Sequence, residues 1–464
     1  MKKEEQIGHK LEKSIDLDPL FEKIEKDNIK YVLLGEASHG TSEFYRWRTE
    51  ITKRLVAEKK FSFIAVEGDW PDCYNVNRYV KGMSNSKANH SGNSNAYNVL
   101  YTFNRWPTWM WANREIVDLV EWIRKHNEKL PEEQRVGFYG LDVYSLWESM
   151  ESVIKYLKTV DANAIKTAIE AYRCFEPYGR SVEDYARASA FVPESCEDEV
   201  IDMLIELRSK SSQYKTDGLG RREEYFNAEQ NAIVAKNAEL YYRKMIHGGT
   251  ATWNIRDAHM MDTLKRLMDF YGKDEGTSSK SIVWAHNTHV GDARQTDMAD
   301  AGMINIGQLV REHASEKNVI LLGFGTYKGS VIAAKEWGEK MERMYVPPAI
   351  QGSWDDLLHE QNIGSNSLII FEEGNNHGDE RNDKAKDHVL SQDIITKTTR
   401  KKGQRAIGVV YNPQYERYGN YVPTILAKRY DAFLYIDETH ALHPLHMPEI
   451  HDDKELPETF PTGL

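Results

Sequence analysis

Tyr31-Val32-Leu33-Leu34 is the stretch that decides the fold, and it leads directly into Gly35-Glu36-Ala37-Ser38-His39-Gly40. The apolar residues are continuous rather than alternating, which is typical of a strand buried on both faces of a parallel sheet. A second polar run, His286-Asn287-Thr288-His289, also follows an apolar run, Ser281–Ala285. This pattern predicts one site where both polar runs meet at the ends of neighbouring strands.

Similar apolar runs occur at both ends of the chain and predict a mostly parallel sheet. They are Phe61–Val66, Val136–Leu141, Val319–Gly323, Ser367–Phe371, Ala406–Val410 and Ala432–Ile436. Amphipathic helical patterns lie between them, at Glu43–Lys60 and Pro107–Lys125. The sequence therefore predicts the α/β class, with a three-layer α/β/α core.

A long segment in the middle of the chain lacks strand patterns and predicts a helical insertion. From about Val143 to Phe270, helical patterns follow one another at Leu146–Val160, Ala162–Tyr172, Glu197–Ser212, Ala228–Ile246 and Trp253–Tyr271. We expect residues 1–142 to form the first part of the core and 143–275 the insertion or cap. Residues 276–446 would form the second part of the core, and 447–464 a C-terminal tail.

Composition limits the classes of function. The 464 residues are 40% hydrophobic and 28% charged, as in an ordinary globular protein. The net charge of −12 argues against nucleic acid as a partner. The N-terminus has no apolar signal core, and no run is long enough to cross a membrane, so we expect a cytoplasmic protein without a membrane partner. The oligomeric state is not determined by the sequence.

The three cysteines, Cys73, Cys174 and Cys196, are an odd number without paired spacing. This fits a reducing compartment and excludes a zinc cluster built from cysteines. We expect all three to be structural or incidental. A nucleophilic Cys73 is the alternative, and it would need a neighbouring base.

The strand-like runs end in histidines and carboxylates. These are Glu36 and His39, then Glu67, then Asp142, and finally His286 and His289. Ligands of open parallel sheets bind at the carboxyl ends of the strands, so the joint pattern predicts an active site there. For any one of these residues, a solvated turn or a satisfied core histidine is the alternative.

Arg48 lies beside the apolar stripe of its predicted helix and therefore needs a carboxylate partner. Glu36 and Glu67 are the candidates, and a purely structural salt bridge is the alternative. The histidines and glutamates are nominal metal ligands, but the sequence lacks the His-Glu-x-x-His spacing, so we expect no metal and no cofactor. There is no Gly-x-Ser-x-Gly motif and no phosphate-binding loop, and Ser38 is a further candidate nucleophile.

In order and spacing, these motifs resemble the erythromycin esterase family, some relatives of which are named for succinoglycan biosynthesis. The residues that carry the resemblance are Leu34–Thr41, Arg48, Val66-Glu67 and Ala285–His289, with support from Trp253–Asp257 and Asp431–Thr439. The resemblance implies an α/β core with helical additions around a deep cleft. It also implies hydrolysis of a macrolactone ester by activated water, with functional positions at Glu36, His39, Arg48, Glu67, His286 and His289.

We therefore predict a carboxylic ester or lactone hydrolase that acts on a small molecule, with macrolides as one class. His39 would be the general base and Glu36 would orient it, while Arg48 would hold Glu36 and Glu67. His286 and His289 would stabilise the oxyanion or protonate the leaving group. The alternatives are a non-hydrolytic small-molecule binding protein and an enzyme of envelope polysaccharide metabolism.

An apolar substrate pocket is a further expectation for the predicted insertion. Its candidate lining is Trp253, Tyr241, Tyr242 and Met260. Aromatic residues at helical spacing are often core residues, and this is the alternative.

Overall fold

The run Tyr31–Leu34 forms a strand in the middle of the main sheet, as its continuous apolar sequence predicts. The structure is a computed structural model, and it describes residues 8–83, 95–161, 164–179, 181–191, 195–214, 219–245, 249–272, 279–362, 364–371 and 400–447.

The described residues form a nine-stranded sheet and a separate two-stranded sheet. The strands are β1 His9–Lys10, β2 Tyr31–Leu34, β3 Phe63–Asp69, β4 Gly137–Asp142, β5 Ser281–Trp284, β6 Val319–Ala333, β7 Glu342–Val346, β8 Ser367–Ile370, β9 Lys402–Arg405, β10 Tyr421–Thr424 and β11 Ala432–Thr439. The order in the large sheet is β1-β8-β11-β6-β2-β5-β3-β4, with β7 paired to β6. The neighbours from β11 to β4 are parallel, while β1, β7 and β8 pair antiparallel.

Successive residues of the central strands point to opposite faces of the sheet, and both faces are buried. Val32 and Leu34 belong to one apolar cluster with helices outside it, and Tyr31 and Leu33 belong to another. Burial on both faces explains why the strand sequences are continuously apolar. The α/β class and the mostly parallel sheet are confirmed.

Some of the helices cover these two faces, and the others pack together in the segment between β4 and β5. They are α1 Asp18–Lys26, α2 Ser42–Lys59, α3 Trp70–Val80, α4 Ala96–Tyr101, α5 Arg114–Asn127, α6 Leu146–Val160, α7 Ile165–Cys174, α8 Val182–Phe191, α9 Glu197–Ser209, α10 Ser211–Tyr214, α11 Leu219–Met245, α12 Ala251–Tyr271, α13 Asn287–Val290, α14 Ile306–Ala314 and α15 Trp354–Asn362. Two short helical turns, Glu416–Gly419 and Leu426–Arg429, follow.

Between β4 and β5 the described chain is helical, from α6 to α12. Leu146, Met150 and Ala235 belong to a third apolar cluster, separate from the two that flank the sheet. The boundaries at residues 142/143 and 275/276 stay a prediction. Apart from Met447, the predicted tail lies outside the described residues.

Two sequence predictions of local structure were wrong. Ala406–Val410 is not a strand of the main sheet, because Ile407 and Val410 form only isolated bridges, to Ser38 and Ala334. The helix predicted from Pro107 begins at Arg114 instead, since the side chain of Asn113 accepts a hydrogen bond from the amide of Ile116 and caps the helix there.

The cysteines were expected to be structural or incidental and to fit a reducing compartment, but two of them are paired. A disulfide joins Cys174 at the end of α7 to Cys196 at the start of α9. The cysteine count therefore gives no argument for a reducing compartment. Cys73 is a free and buried cysteine, and burial raises the pKa of its thiol well above the ordinary value, which disfavours the nucleophilic thiolate. Within the described ranges, each helix is either too short or too polar for a membrane span.

Candidate active site

The first polar run turns back at the end of β2 and brings His39 against Glu36. Nδ1 of His39 lies 2.8 Å from Oε1 of Glu36. The other carboxylate oxygen of Glu36 accepts a hydrogen bond from Nη2 of Arg48 at 2.6 Å. All three side chains are buried, so the Glu36 carboxylate is held between a cation and an imidazole.

Arg48 lies on the inner face of α2 and is fully buried. Its guanidinium carbon is 4.3 Å from the centroid of the Tyr45 ring and 4.5 Å from that of Trp284. Cation–π contacts with these rings and the bond to Glu36 compensate for the loss of water around the guanidinium. Arg48 was expected to hold both glutamates, but the structure pairs it with Glu36.

Glu67 lies where the register between β3 and β4 shifts, at an irregularity between Val66 and Asp69. Such bulges redirect a side chain at the end of a strand. Oε2 of Glu67 accepts the backbone amide of His286 at 2.8 Å, and Oε1 lies 4.0 Å from Nε2 of His39. Burial alone would raise the pKa of Glu67, but His289, Arg256 and His39 outweigh it and hold the pKa below its usual range.

Arg256, on α12, is the residue that pairs with Glu67. Its Nη2 donates to Glu67 at 2.6 Å and to Asp142 at 2.7 Å, and its Nη1 lies 3.0 Å from Nε2 of His289. The neighbouring Asp257 accepts from Nδ1 of His289 at 2.9 Å. Arg256 and Asp257 were not among the predicted site residues. The only signal for them in the sequence was the stretch Trp253–Asp257 in the family resemblance.

Asn287 fixes the second polar run to the first polar run and to β6. Its backbone amide donates to the carbonyl of Glu36 at 2.8 Å, and its side chain bonds both the carbonyl and the amide of Phe324, at 2.7 and 3.2 Å. A Cβ at Gly35 would clash with the Asn287 side-chain oxygen, so this position requires glycine. As a result, the rings of His39 and His286 lie 4.9 Å apart.

The three imidazoles have different environments. Burial lowers the pKa of His39, but Glu67 and Glu36 outweigh burial and raise it above the ordinary value. Burial, followed by the charge of His39, lowers the pKa of His286 well below the ordinary value. His289 stacks on the ring of Trp253, 4.4 Å away.

The structure thus brings all the predicted site residues into one network, which we call the histidine–carboxylate cluster. Its members are Glu36, His39, Arg48, Glu67, His286 and His289, together with Asp142, Arg256 and Asp257. Among the residues that the structure describes, no group of three or more His, Cys, Asp and Glu side chains has the geometry to hold a metal ion. Imidazoles beside carboxylates are groups that can exchange protons and hydrogen-bond a ligand.

Only some of the residues expected to line a substrate pocket lie near the histidine–carboxylate cluster. Trp253 contacts His289, and Tyr242 donates to the carbonyl of Tyr144 at 2.8 Å. Met260 is fully buried in the apolar cluster beneath the sheet. Met260 is therefore a core residue, which is the alternative that helical spacing favours, and a pocket lined by the other residues stays a prediction.

The fold and the site define the class as an α/β protein with a buried histidine–carboxylate site at the carboxyl ends of its parallel strands. The family model described as erythromycin esterase matches residues 56–439. The chain belongs to the erythromycin esterase family. Glu36, His39 and Arg48 precede the matched residues, so their place in the cluster rests on the structure.

Solved structures share the fold over nearly the whole chain. A succinoglycan biosynthesis protein is 20% identical with a TM-score of 0.70, covering 94% of this chain and 95% of its own. A Bacillus cereus protein is 18% identical with a TM-score of 0.69, covering 95% and 97%. A variant of the erythromycin esterase EreC, in its open conformation, is 14% identical with a TM-score of 0.63, covering 93% and 97%.

Proposed function

We propose that this chain is a hydrolase that cleaves a carboxylic ester or lactone with a water molecule activated by His39. The observation that carries the proposal is the position of the His39 ring. Its Nδ1 is bonded to the Glu36 carboxylate, which accepts a proton but cannot supply one when ionised. In the neutral ring the lone pair is therefore on Nε2, where it can accept a proton from a water molecule.

The hydrolysis needs His39 as its one base, and water and the ester are its only reactants. Nε2 of His39 takes a proton from water while the water oxygen attacks the ester carbonyl carbon. The tetrahedral intermediate then collapses, the carbon–oxygen bond to the leaving group breaks, and the imidazolium of His39 returns the proton to the departing alkoxide. The products are a carboxylic acid and an alcohol.

The carboxylates around His39 support this role. Glu36 fixes the orientation of the ring, and Arg48 fixes Glu36. Glu67, 4.0 Å from Nε2 of His39, stabilises the imidazolium that forms during the reaction. Family membership supports an esterase-like hydrolase, and erythromycin is one test substrate because the family and EreC bear its name.

A panel of 4-nitrophenyl esters, simple lactones, acylated sugars and erythromycin tests the proposal, with products identified by mass spectrometry, and each assay is run with and without a chelator. We expect His39→Ala to lower kcat by about 10²–10⁴-fold, the usual contribution of a positioned base, with little change in Tm. Activity that a chelator abolishes and a divalent ion restores would contradict the metal-free mechanism.

His440→Ala is the matched control. Nδ1 of His440 also lies 2.8 Å from a glutamate, Glu43, but this pair is at the surface. We expect wild-type kcat for His440→Ala. Near wild-type activity of His39→Ala would refute the assignment of His39 as the general base. A ligand that raises Tm without being consumed would favour a non-hydrolytic binding protein.

A further inference from the structure

The three histidines of the cluster differ in what their Nδ1 atoms contact. Nδ1 of His39 faces the Glu36 carboxylate, and Nδ1 of His289 faces the Asp257 carboxylate. Carboxylates accept hydrogen bonds, so both of these nitrogens carry a hydrogen. In both rings the lone pair of the neutral form is on Nε2.

His286 has the opposite arrangement. Its Nδ1 accepts a hydrogen bond from the backbone amide of Thr288 at 3.3 Å and lies 2.8 Å from the Thr288 hydroxyl. A backbone amide can only donate, so Nδ1 of His286 holds the lone pair. Burial and the neighbouring His39 lower the pKa of His286 and keep the ring neutral, and Nε2 therefore carries the hydrogen.

The Nε2 atoms of His286 and His289 differ in their hydrogen bonding. His286 is 4% exposed, and its Nε2 makes no hydrogen bond of full geometry among the described residues, although the backbone carbonyl of Ala37 is close enough to raise the pKa of the ring. Nε2 of His289, in contrast, accepts a hydrogen bond from Nη1 of Arg256 at 3.0 Å. A buried donor without a partner is costly, and sites that bind a ligand are where such donors occur.

We propose that the histidines divide the work by tautomer: His39 takes the proton of water, His286 donates its Nε2 hydrogen to the oxyanion, and His289 positions Arg256. This inference rests on the proposed hydrolysis and assigns the roles within it. As the water attacks, the carbonyl π electrons move to the oxygen, which binds the Nε2 hydrogen of His286. That proton stays on His286, and the proton held by His39 goes to the leaving alkoxide.

Substitution of His286 tests the donor role. His286→Leu removes the hydrogen, and we expect kcat to fall by about 10²–10³-fold, the usual effect of losing one oxyanion donor, with KM nearly unchanged. His286→Gln supplies an amide N–H at a similar reach and should recover a measurable part of kcat. The acid limb of the pH profile should stay the same in both variants, because it belongs to His39.

Equal losses of kcat in His286→Leu and His286→Gln would overturn the donor role. An alkaline limb of the pH profile that disappears when His286 is replaced would also overturn it and would indicate that a His286 imidazolium donates a proton. A kcat that does not change in either variant would overturn it as well.

Nitrogen-15 NMR of the full-length protein, labelled at histidine, gives a second readout that does not depend on turnover. We expect His286 to be protonated on Nε2, and His39 and His289 on Nδ1. Variants at each position assign the signals. A wild-type enzyme that hydrolyses esters while His286 carries its hydrogen on Nδ1 would overturn the division of roles alone. A wild type that hydrolyses no ester would overturn the proposed function and the donor role with it.

Discussion

Replacing Arg256 by methionine should destabilise the core strongly, since Arg256 is the cation shared by two buried carboxylates. The side chains of Glu67 and Asp142 are 3% and 6% exposed, and Arg256 itself is 13% exposed. Methionine matches the length of the arginine stem but removes the cation from Asp142 and leaves Glu67 with only the neighbouring histidines and the His286 amide, in a poorly solvated site.

The expected loss follows from the cost of breaking a buried ion pair. Removing one partner typically lowers the free energy of unfolding by about 3–5 kcal/mol, because the remaining charge is buried without compensation. Here two carboxylates lose the same cation. We therefore expect a loss at the upper end of this range, about 5 kcal/mol.

Urea denaturation followed by circular dichroism measures the free energy of unfolding. Lys265→Met is the matched control, because Lys265 lies on the same helix, α12, and pairs with Asp262 at 3.0 Å. Both of these side chains are exposed, so we expect a loss of less than about 1 kcal/mol.

Neutral carboxylate analogues separate a charge effect from a packing effect. If unpaired charge is the cause, adding Glu67→Gln and Asp142→Asn to Arg256→Met should restore much of the lost stability. A loss of less than about 1 kcal/mol in Arg256→Met, or no recovery in the triple variant, would refute the reasoning.

Two further predictions concern pH and redox state. Glu67 and Glu36 outweigh burial and raise the pKa of His39, so kcat/KM should rise with pH through a midpoint above the ordinary histidine pKa. Glu36→Gln removes one of these charges and should lower the midpoint. A midpoint that rises in Glu36→Gln would contradict the assignment of the raised pKa to the carboxylates. Reducing the Cys174–Cys196 disulfide should lower the free energy of unfolding of the helical insertion by about 3 kcal/mol, and amide hydrogen exchange in α7 and α9 should become faster. Exchange rates that are the same with and without reductant would contradict this prediction.

The strands and their ends could be predicted because their signals are local. A continuous apolar run that ends in a polar residue is visible within ten positions, and this was enough to place Glu36, Glu67 and His286 at one edge of the sheet. Ala406–Val410 carries the same apolar signal but forms only bridges, because its backbone bonds to the loop at Ala37 and to Ala334, just after β6, rather than along a strand.

Arg256 could not be predicted from local pattern because its role depends on tertiary contacts. It lies within the first two turns of a helix, 189 residues from Glu67 in sequence, and nothing in its neighbourhood distinguishes it from a surface arginine. The disulfide is similar, since the approach of α7 and α9 depends on helix packing rather than on the spacing of the cysteines. The tautomers of the histidines follow only from the partner of each Nδ1 atom.

The bond from the His286 amide to Glu67 joins residues that are 219 positions apart. A chain growing on the ribosome has His39 and Glu67 early, but it lacks His286 until the whole helical insertion has been synthesised and β5 has formed. Contacts of such long range are made late in folding, since the loop between them must close first. A chain that ends before His286 would therefore lack this bond, and the proposed hydrolysis would require the helical insertion and β5 to be in place.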